Sequence, residues 1–267
     1  MSRNTTNLTK IRIGTAGWSI PRQYAARMPV DGTHLERYSR AFNCAEINSS
    51  FYRSHRLSTW AKWAANVPAD FRFSVKAPKA ITHEHTLACS PQQLKSFLEE
   101  AQMLGGKLGP ILFQLPPSFA FDELRASYFF TMLRDLYAAP VALEPRHPTW
   151  FSDESNRLLQ KFQIARVAAD PPITPQSSEP AGSSQLIYHR LHGSPRIYYS
   201  AYGPDRLASL ADQIAAGKKS RQAAEVWVIF DNTASGAAIE DAETLQRLIA
   251  ASTSPESYRS PPAPVAP

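Results

Sequence analysis

A TIM (β/α)8 barrel, an α/β architecture, is predicted by three features of this 267-residue chain. Short apolar, β-branched or aromatic runs recur eight times. Longer stretches with helical spacing separate most of them, the alternation that parallel strands and crossover helices produce. The Gly-rich phosphate turn that usually opens a doubly wound sheet is absent, since "GTAGW" after the first run offers only Gly14 and Gly17.

In chain order the predicted strands are "IRIGTAGW" (11–18), "CAEINSSF" (44–51), "FRFSVKAP" (71–78), "GPILFQLP" (109–116), "VALEPRH" (141–147), "IARVAAD" (164–170), "LIYHRLHG" (186–193) and "EVWVIFDN" (225–232). Helices are predicted over 90–104, 122–136, 153–162, 204–216 and 237–251. The first of these carries Ser90 as N-cap, Pro91 at the first helical position and Gly105 past its end. Trp60 and Trp63 stand at helical spacing and read as core. Between strands six and seven, "PPITPQSSEPAGSS" (171–184) has four prolines and no helical period. One crossover helix is therefore expected to be missing or irregular.

Bulk properties narrow the class. The length suits one large domain or two small ones, and barrels commonly occupy about 200–250 residues as one unit. A 43% hydrophobic content fits a well-filled core. Residues 1–10 are polar and 252–267 end in "SPPAPVAP", so flexible tails are expected on either side of a barrel over 11–251. The formal charge of +6 permits anionic partners, yet the longest basic cluster, "GKKSR" (217–221), reads as a solvated loop before a strand. Two cysteines, Cys44 and Cys89, make no disulfide framework. With no apolar stretch long enough to span a bilayer and no signal-peptide pattern, a cytoplasmic protein is expected.

Side chains alternate faces along a strand, so one register choice sorts a whole run. Phe71, Phe73 and Val75 suit the helix-facing side, leaving Ser74 and Lys76 for the lumen. By the same rule Ala142, Glu144 and Arg146 point inward together, as do Glu46, Asn48, Ser50 and Tyr52. Gln114, Asp170, Arg190, His192 and Asn232 complete the expected lining, with His147 at the rim. Each lies in the C-terminal half of its strand, the end where barrels build active sites. Burying so many charges is costly without partners, which favours a ligand site over simple packing.

At these residues the chain resembles the YecE-like family, domain of unknown function 72. The matching segments are "IGTAGWS" (13–19), "AEINSSFYR" (45–53), "FRFSVKAPKAITH" (71–83), "LGGKLGPILFQLPPSF" (104–119), "LEPRHPTWF" (143–151), "YHRLHG" (188–193) and "FDNTASGAA" (230–238). The resemblance implies a TIM-barrel fold and no particular reaction. It differs from the family pattern at Pro145, where relatives have Phe, at Asp231, where they have Asn, and in a shortened aromatic segment, "PRQYAARMP" (21–29). Motif positions in the expected site include Glu46, Asn48, Lys76, Gln114, Glu144, Arg146, His147, Asp170, Arg190, His192, Gly193 and Asn232.

Three chemistries fit this lining. The first is acid/base catalysis without a metal on a small anionic or polyhydroxylated ligand, of lyase, isomerase or hydrolase type. Arg146 and Arg190 would clamp the anion. Glu144 or Glu46 would be the base and His192 or Lys76 the acid. Asp170 is a further catalytic candidate; Asn48, Tyr52, Gln114, His147, Gly193 and Asn232 would contact the ligand. Lys76 among cations could also form a Schiff base, and "HGSPR" (192–196) and "TASGAA" (233–238) occupy the usual phosphate-loop positions. No cofactor is required by this reading. The second is a divalent-metal site drawing on Glu46, Glu144, Asp170, His192 and "THEH" (82–85), against which the interleaved cations argue. In the third, a non-catalytic barrel binds an anionic metabolite or nucleic acid, with Tyr198, Tyr199 and Tyr202 available to stack on bases. Pro145, which lacks an N–H, is expected to end or bulge the fifth strand.

Overall fold

The computed structural model describes residues 10–221 and 225–253. Most of both expected tails, 1–9 and 254–267, lies outside the described residues, as do the side chains of "GKKSR". The backbone of that basic stretch is helical, not a loop, because the preceding helix continues through it.

Among the described residues ten strands appear in chain order: β1 (Lys10–Thr15), β2 (Cys44–Ile47), β3 (Arg72–Lys76), β4 (Leu108–Gln114), β5 (Val141–Glu144), β6 (Ile164–Arg166), β7 (Ala168–Asp170), β8 (Ala181–Gly182), β9 (Leu186–Leu191) and β10 (Glu225–Phe230). The helices are α1 (His34–Ala41), α2 (Leu57–Ala65), α3 (Pro91–Gln102), α4 (Glu123–Leu136), α5 (Asp153–Lys161), α6 (Pro204–Arg221) and α7 (Ala237–Thr253). Parallel ladders run β2-β3-β4-β5-β6 in one sheet and β7-β9-β10-β1 in the other. The predicted sixth strand is the joint between them. Val167 interrupts it, so β6 pairs with β5 and β7 pairs with β9. Across the other seam a single bridge joins Ala16 to Glu46, and the Gly17 N–H donates to the Glu46 carbonyl at 2.8 Å. Gly14 permits that approach, since a Cβ there would lie 2.0 Å from the Cys44 carbonyl oxygen.

Local signals explain the helix starts. Ser90 and Gln93 form a capping box ahead of α3, and Pro91 takes the first turn, where its missing N–H costs nothing. Asp122 caps α4 and Ser152 caps α5. Thr33 and Glu36 form a second capping box before α1, a helix outside the five predicted ones that its T-x-x-E signature announces. Between β7 and β9 there is no α-helix; a 3-10 turn at Pro175–Ser178 and the short antiparallel β8 occupy the crossover, as the proline content implies.

Two apolar layers follow from the alternation. Cys44, Leu112, Ala142, Ala165, Val167, Leu186, Tyr188, Trp227 and Ile229 pack inside the barrel. The alternate residues, among them Phe73, Val75, Phe113, Leu143, Val228 and Phe230, pack against the helices. Trp60 is fully buried in that outer layer, in edge contact with Trp63, which in turn meets Trp18.

Candidate active site at the C-terminal mouth

Strand parity delivers the central group, Arg190, to the lumen on the face of Leu186 and Tyr188. Its guanidinium grips Glu46 with two bonds, Nε to Oε2 at 3.1 Å and Nη2 to Oε1 at 2.7 Å. Nη1 reaches Glu144 at 3.3 Å, and Nη2 also meets Asp231 at 3.0 Å. All three nitrogens are thus committed to carboxylates. Arg190 is a keystone of the floor, not the free anion clamp expected of it.

His192, two residues on, lies between two of the same acids. Nε2 stands 2.8 Å from Glu144 Oε1 and Nδ1 stands 3.1 Å from Asp231 Oδ2. Ionised carboxylates only accept, and a neutral imidazole has one N–H, so both contacts are satisfied together only when the ring is a cation. Burial opposes that charge, yet the Glu144 and Asp231 carboxylates raise the pKa of His192 above its ordinary 6.5. In return His192 and Arg190 overcome the cost of burial and hold Glu144 well below the usual carboxylate range, and Arg190 with His192 lowers Asp231 as well. Glu46 also accepts from the Tyr188 hydroxyl at 3.0 Å, which sits 2.7 Å from Ser74 Oγ.

Around this floor sits a mouth. Arg146 bonds Glu144 at 3.1 Å with its side chain 14% exposed, and the Gln114 amide donates to the same oxygen at 3.2 Å. Pro145 is buried and β5 ends at Glu144, so Arg146 leaves the strand toward the opening. Lys76 is 6% exposed and its ammonium lies 4.1 Å from the centre of the Phe51 ring. Desolvation and the nearby Arg190 pull its pKa down to about 8. Tyr198 stands edge-on to His192 at 5.8 Å between ring centres, its N–H bonded to the His192 carbonyl. The Asn48 side-chain oxygen is buried with no hydrogen-bond partner among the described residues.

Several expected lining residues lie elsewhere. Asp170 is out of phase with Ala165 and Val167; it accepts from the Tyr202 hydroxyl at 2.9 Å and pairs with Arg206 of α6 at 2.7 Å. Asn232 follows Val228 and Phe230 to the outer face, where it donates to Asp241 of α7 and to the Ser200 carbonyl. In-phase Asp231 takes the lumen place instead, a residue parity from Trp227 and Ile229 would have found. Tyr52 is 69% exposed, because the chain turns into a 3-10 helix at Ser49–Phe51 and the alternation ends at Ile47. Phe51, which unbroken alternation would put on the helix side opposite Tyr52, therefore supplies the ring under Lys76. His147 caps the 3-10 turn Pro148–Phe151 and bonds Thr149. Gly193 has φ +93 and donates to the Tyr202 hydroxyl; a Cβ there would press on the Ser200 carbonyl at 2.8 Å.

"THEH" splits: His83 meets the Phe51 ring at 5.0 Å, whereas His85 is exposed. Of the loop tyrosines, Tyr198 and Tyr199 are about half exposed, while Tyr202 is buried and fastens Asp170. Among the described residues no cluster of three His, Cys, Asp or Glu side chains is arranged to hold a metal, and no helix is long and apolar enough to cross a membrane.

Known proteins resemble this chain in sequence and fold. UPF0759 protein YecE of Escherichia coli K12 is 31% identical over 169 residues, 60% of this chain and 59% of that protein; the matched stretch of the O157:H7 protein of that name covers 50% of its length. UPF0759 protein YunF of Bacillus subtilis is 24% identical over 90% of this chain and 94% of its own. Among solved structures, a DUF72 family protein from Enterococcus faecalis superposes with a TM-score of 0.75 at 23% identity, covering 90% of this chain and 95% of that one. A D-allulose 3-epimerase from Methylomonas sp. reaches 0.51 at 11% identity over 90% and 97%, a likeness of fold alone. The family model described as protein of unknown function DUF72 matches residues 12–265, and the chain belongs to that family.

Proposed function

We propose that the mouth of the barrel is the active site of a metal-independent acid/base enzyme acting on a small anionic or polyhydroxylated molecule. One observation carries this reading: His192 is held between Glu144 and Asp231, and Glu144 also holds Arg146, whose side chain reaches solvent at the C-terminal end of the strands. Three carboxylates there face four cationic groups once His192 is protonated, and a ligand anion would balance the excess. In this reading Arg146 takes the anion, since its guanidinium has one carboxylate partner and is the most open of the charged groups. Gln114 and the unpartnered Asn48 oxygen orient hydroxyl groups. His192 is the proton store, and Glu144 and Asp231 pass protons between it and the ligand. Glu46 and Arg190 hold these groups in place. Two unpaired buried cysteines accord with a cytoplasmic setting.

The test is a melting-temperature screen of sugar phosphates, hydroxy acids and keto acids against their neutral counterparts. Anions are expected to raise the melting temperature, and Arg146→Met to abolish the rise while leaving the unliganded protein folded. Equal shifts with neutral counterparts, or none with any anion, would overturn the reading.

A further inference from the structure

We propose that Lys76 is a nucleophile that condenses with the carbonyl group of an anionic aldehyde or ketone, forming a Schiff base at the mouth of the barrel. This rests on the acid/base reading and narrows its substrate class.

The geometry sets Lys76 apart from every other charged side chain of the mouth. Glu46, Glu144 and Asp231 are bound to Arg190, His192 and Arg146, and among the described residues none of them forms an ion pair with Lys76. A buried ammonium without a carboxylate is costly as structure, so packing alone does not account for this residue. Its anchoring is rigid. The Lys76 carbonyl accepts from Ser50 Oγ at 2.7 Å, and Ala77 N–H donates to the Leu112 carbonyl of β4. The Phe51 face 4.1 Å from the nitrogen makes one wall, against which His83 packs edge-on.

The charges facing Lys76 come from four strands or strand ends. Arg190 on β9 disfavours the ammonium; Glu46 at β2, Glu144 at β5 and Asp231 after β10 favour it. With burial included, the balance stands at about 8, so roughly a tenth of the amine is neutral near pH 7, far more than the ordinary 10.5 would leave. His83 beside it is held below its ordinary pKa by burial and by Lys76, and so is uncharged there.

In the reaction the Nζ lone pair forms a C–N bond as the carbonyl π electrons move to oxygen. That oxygen leaves as water, carrying one proton from the nitrogen and one from the His192 pair, and a cationic iminium remains. Arg146 would hold the substrate's anionic group, and the iminium would draw electrons from the neighbouring carbon, whose proton Glu144 or Asp231 could accept.

The experiment is borohydride reduction of the full-length protein with glyceraldehyde 3-phosphate, dihydroxyacetone phosphate or pyruvate, followed by mass mapping of labelled lysines and melting curves with the same probes. At least one probe should give a reduced adduct at Lys76 at least about tenfold faster than at exposed Lys79, because the lowered pKa leaves more of the Lys76 amine neutral than the ordinary 10.5 would, with the rate rising as pH passes through about 8. Lys76→Arg should fold and still raise its melting temperature with the anions, yet give no adduct there; Lys79→Arg should label as the wild type does. A melting shift with no adduct at Lys76, or labelling spread evenly over exposed lysines, overturns the Schiff base and leaves the acid/base reading intact. Absence of any shift and any adduct overturns both.

Discussion

The two ends of the barrel lumen each bury an arginine, and they treat it differently. At the N-terminal end Arg12 meets Glu225 at 3.2 Å, donates to the carbonyls of Asn43 and Asp70, and lies against the Trp227 ring, whose Nε1–H donates to the other Glu225 oxygen. One cation, one acid and fixed backbone acceptors close that end. At the C-terminal end Arg190 holds three acids that also serve His192, Arg146, Gln114 and Tyr188, and Lys76 is left over. A plug satisfies every charge internally, whereas a site keeps some unsatisfied for a visitor. On the proposed reading it is incomplete pairing, and not burial of charge alone, that marks the C-terminal end.

The largest expected effect breaks the upper network. Arg190→Met leaves three buried carboxylates facing one another and should cost about 3–5 kcal/mol of stability, the usual range for removing one partner of a buried pair. Arg12→Met should cost less, about 2 kcal/mol, because Glu225 is 31% exposed and can be rehydrated. Urea denaturation of both variants at neutral pH measures the difference; equal losses would remove the distinction between plug and site. The Arg12 variant should also keep the anion-induced rise in melting temperature.

A smaller effect appears in pH. His192 has a raised pKa, so its contribution to stability is complete below its unfolded value near 6.5 and fades as pH climbs through the folded one. Glu144 is depressed, so its contribution is complete above 4.5 and fades as acid reaches its lower folded value. Between those limits the network is at full strength. Asp241, which burial pushes up to about 6, acts in the opposite sense: the native state binds its proton more tightly, and stability falls as pH rises from 3.8 toward 6. Stability curves against pH should show the alkaline loss in the wild type and in Arg12→Met but not in His192→Gln. Asp241→Asn should flatten the decline between 3.8 and 6 alone.

Legibility in the sequence followed the regularity of the backbone. Wherever inward and outward residues keep alternating up to the strand end, as in β3, β5 and β9, alternation places Lys76, Glu144, Arg190 and His192 without any structure. It failed where the strand ends early or slips. Val167 separates β6 from β7, leaving Asp170 on the outer face, a break that no local residue type announces. In β10 the alternation is regular, and Trp227 and Ile229 inside make Asp231, not the expected Asn232, the lumen residue. The role of Arg190 was illegible for another reason. A guanidinium suits a ligand carboxylate and a protein carboxylate equally, and only distances tell which one it holds.

The smallest expected effect tests the point where β2 stops. Extending the alternation past Ile47 would carry Tyr52 into the funnel, but the turn at Ser49–Phe51 rotates the chain and leaves its side chain in solvent. Tyr52→Ala should therefore change stability by no more than about 0.5 kcal/mol, as surface substitutions do, and leave anion binding as it was. Phe51→Ala is the informative partner. Removing the ring that faces the ammonium takes away an attraction worth about 0.5–2 kcal/mol to the charged form, which should lower the pKa of Lys76, while the space left admits water, which should raise it. The pH dependence of Lys76 labelling in Phe51→Ala resolves the sign. A change on Tyr52→Ala as large as on Phe51→Ala would mean that the strand continues past Ile47 and that both side chains line the mouth.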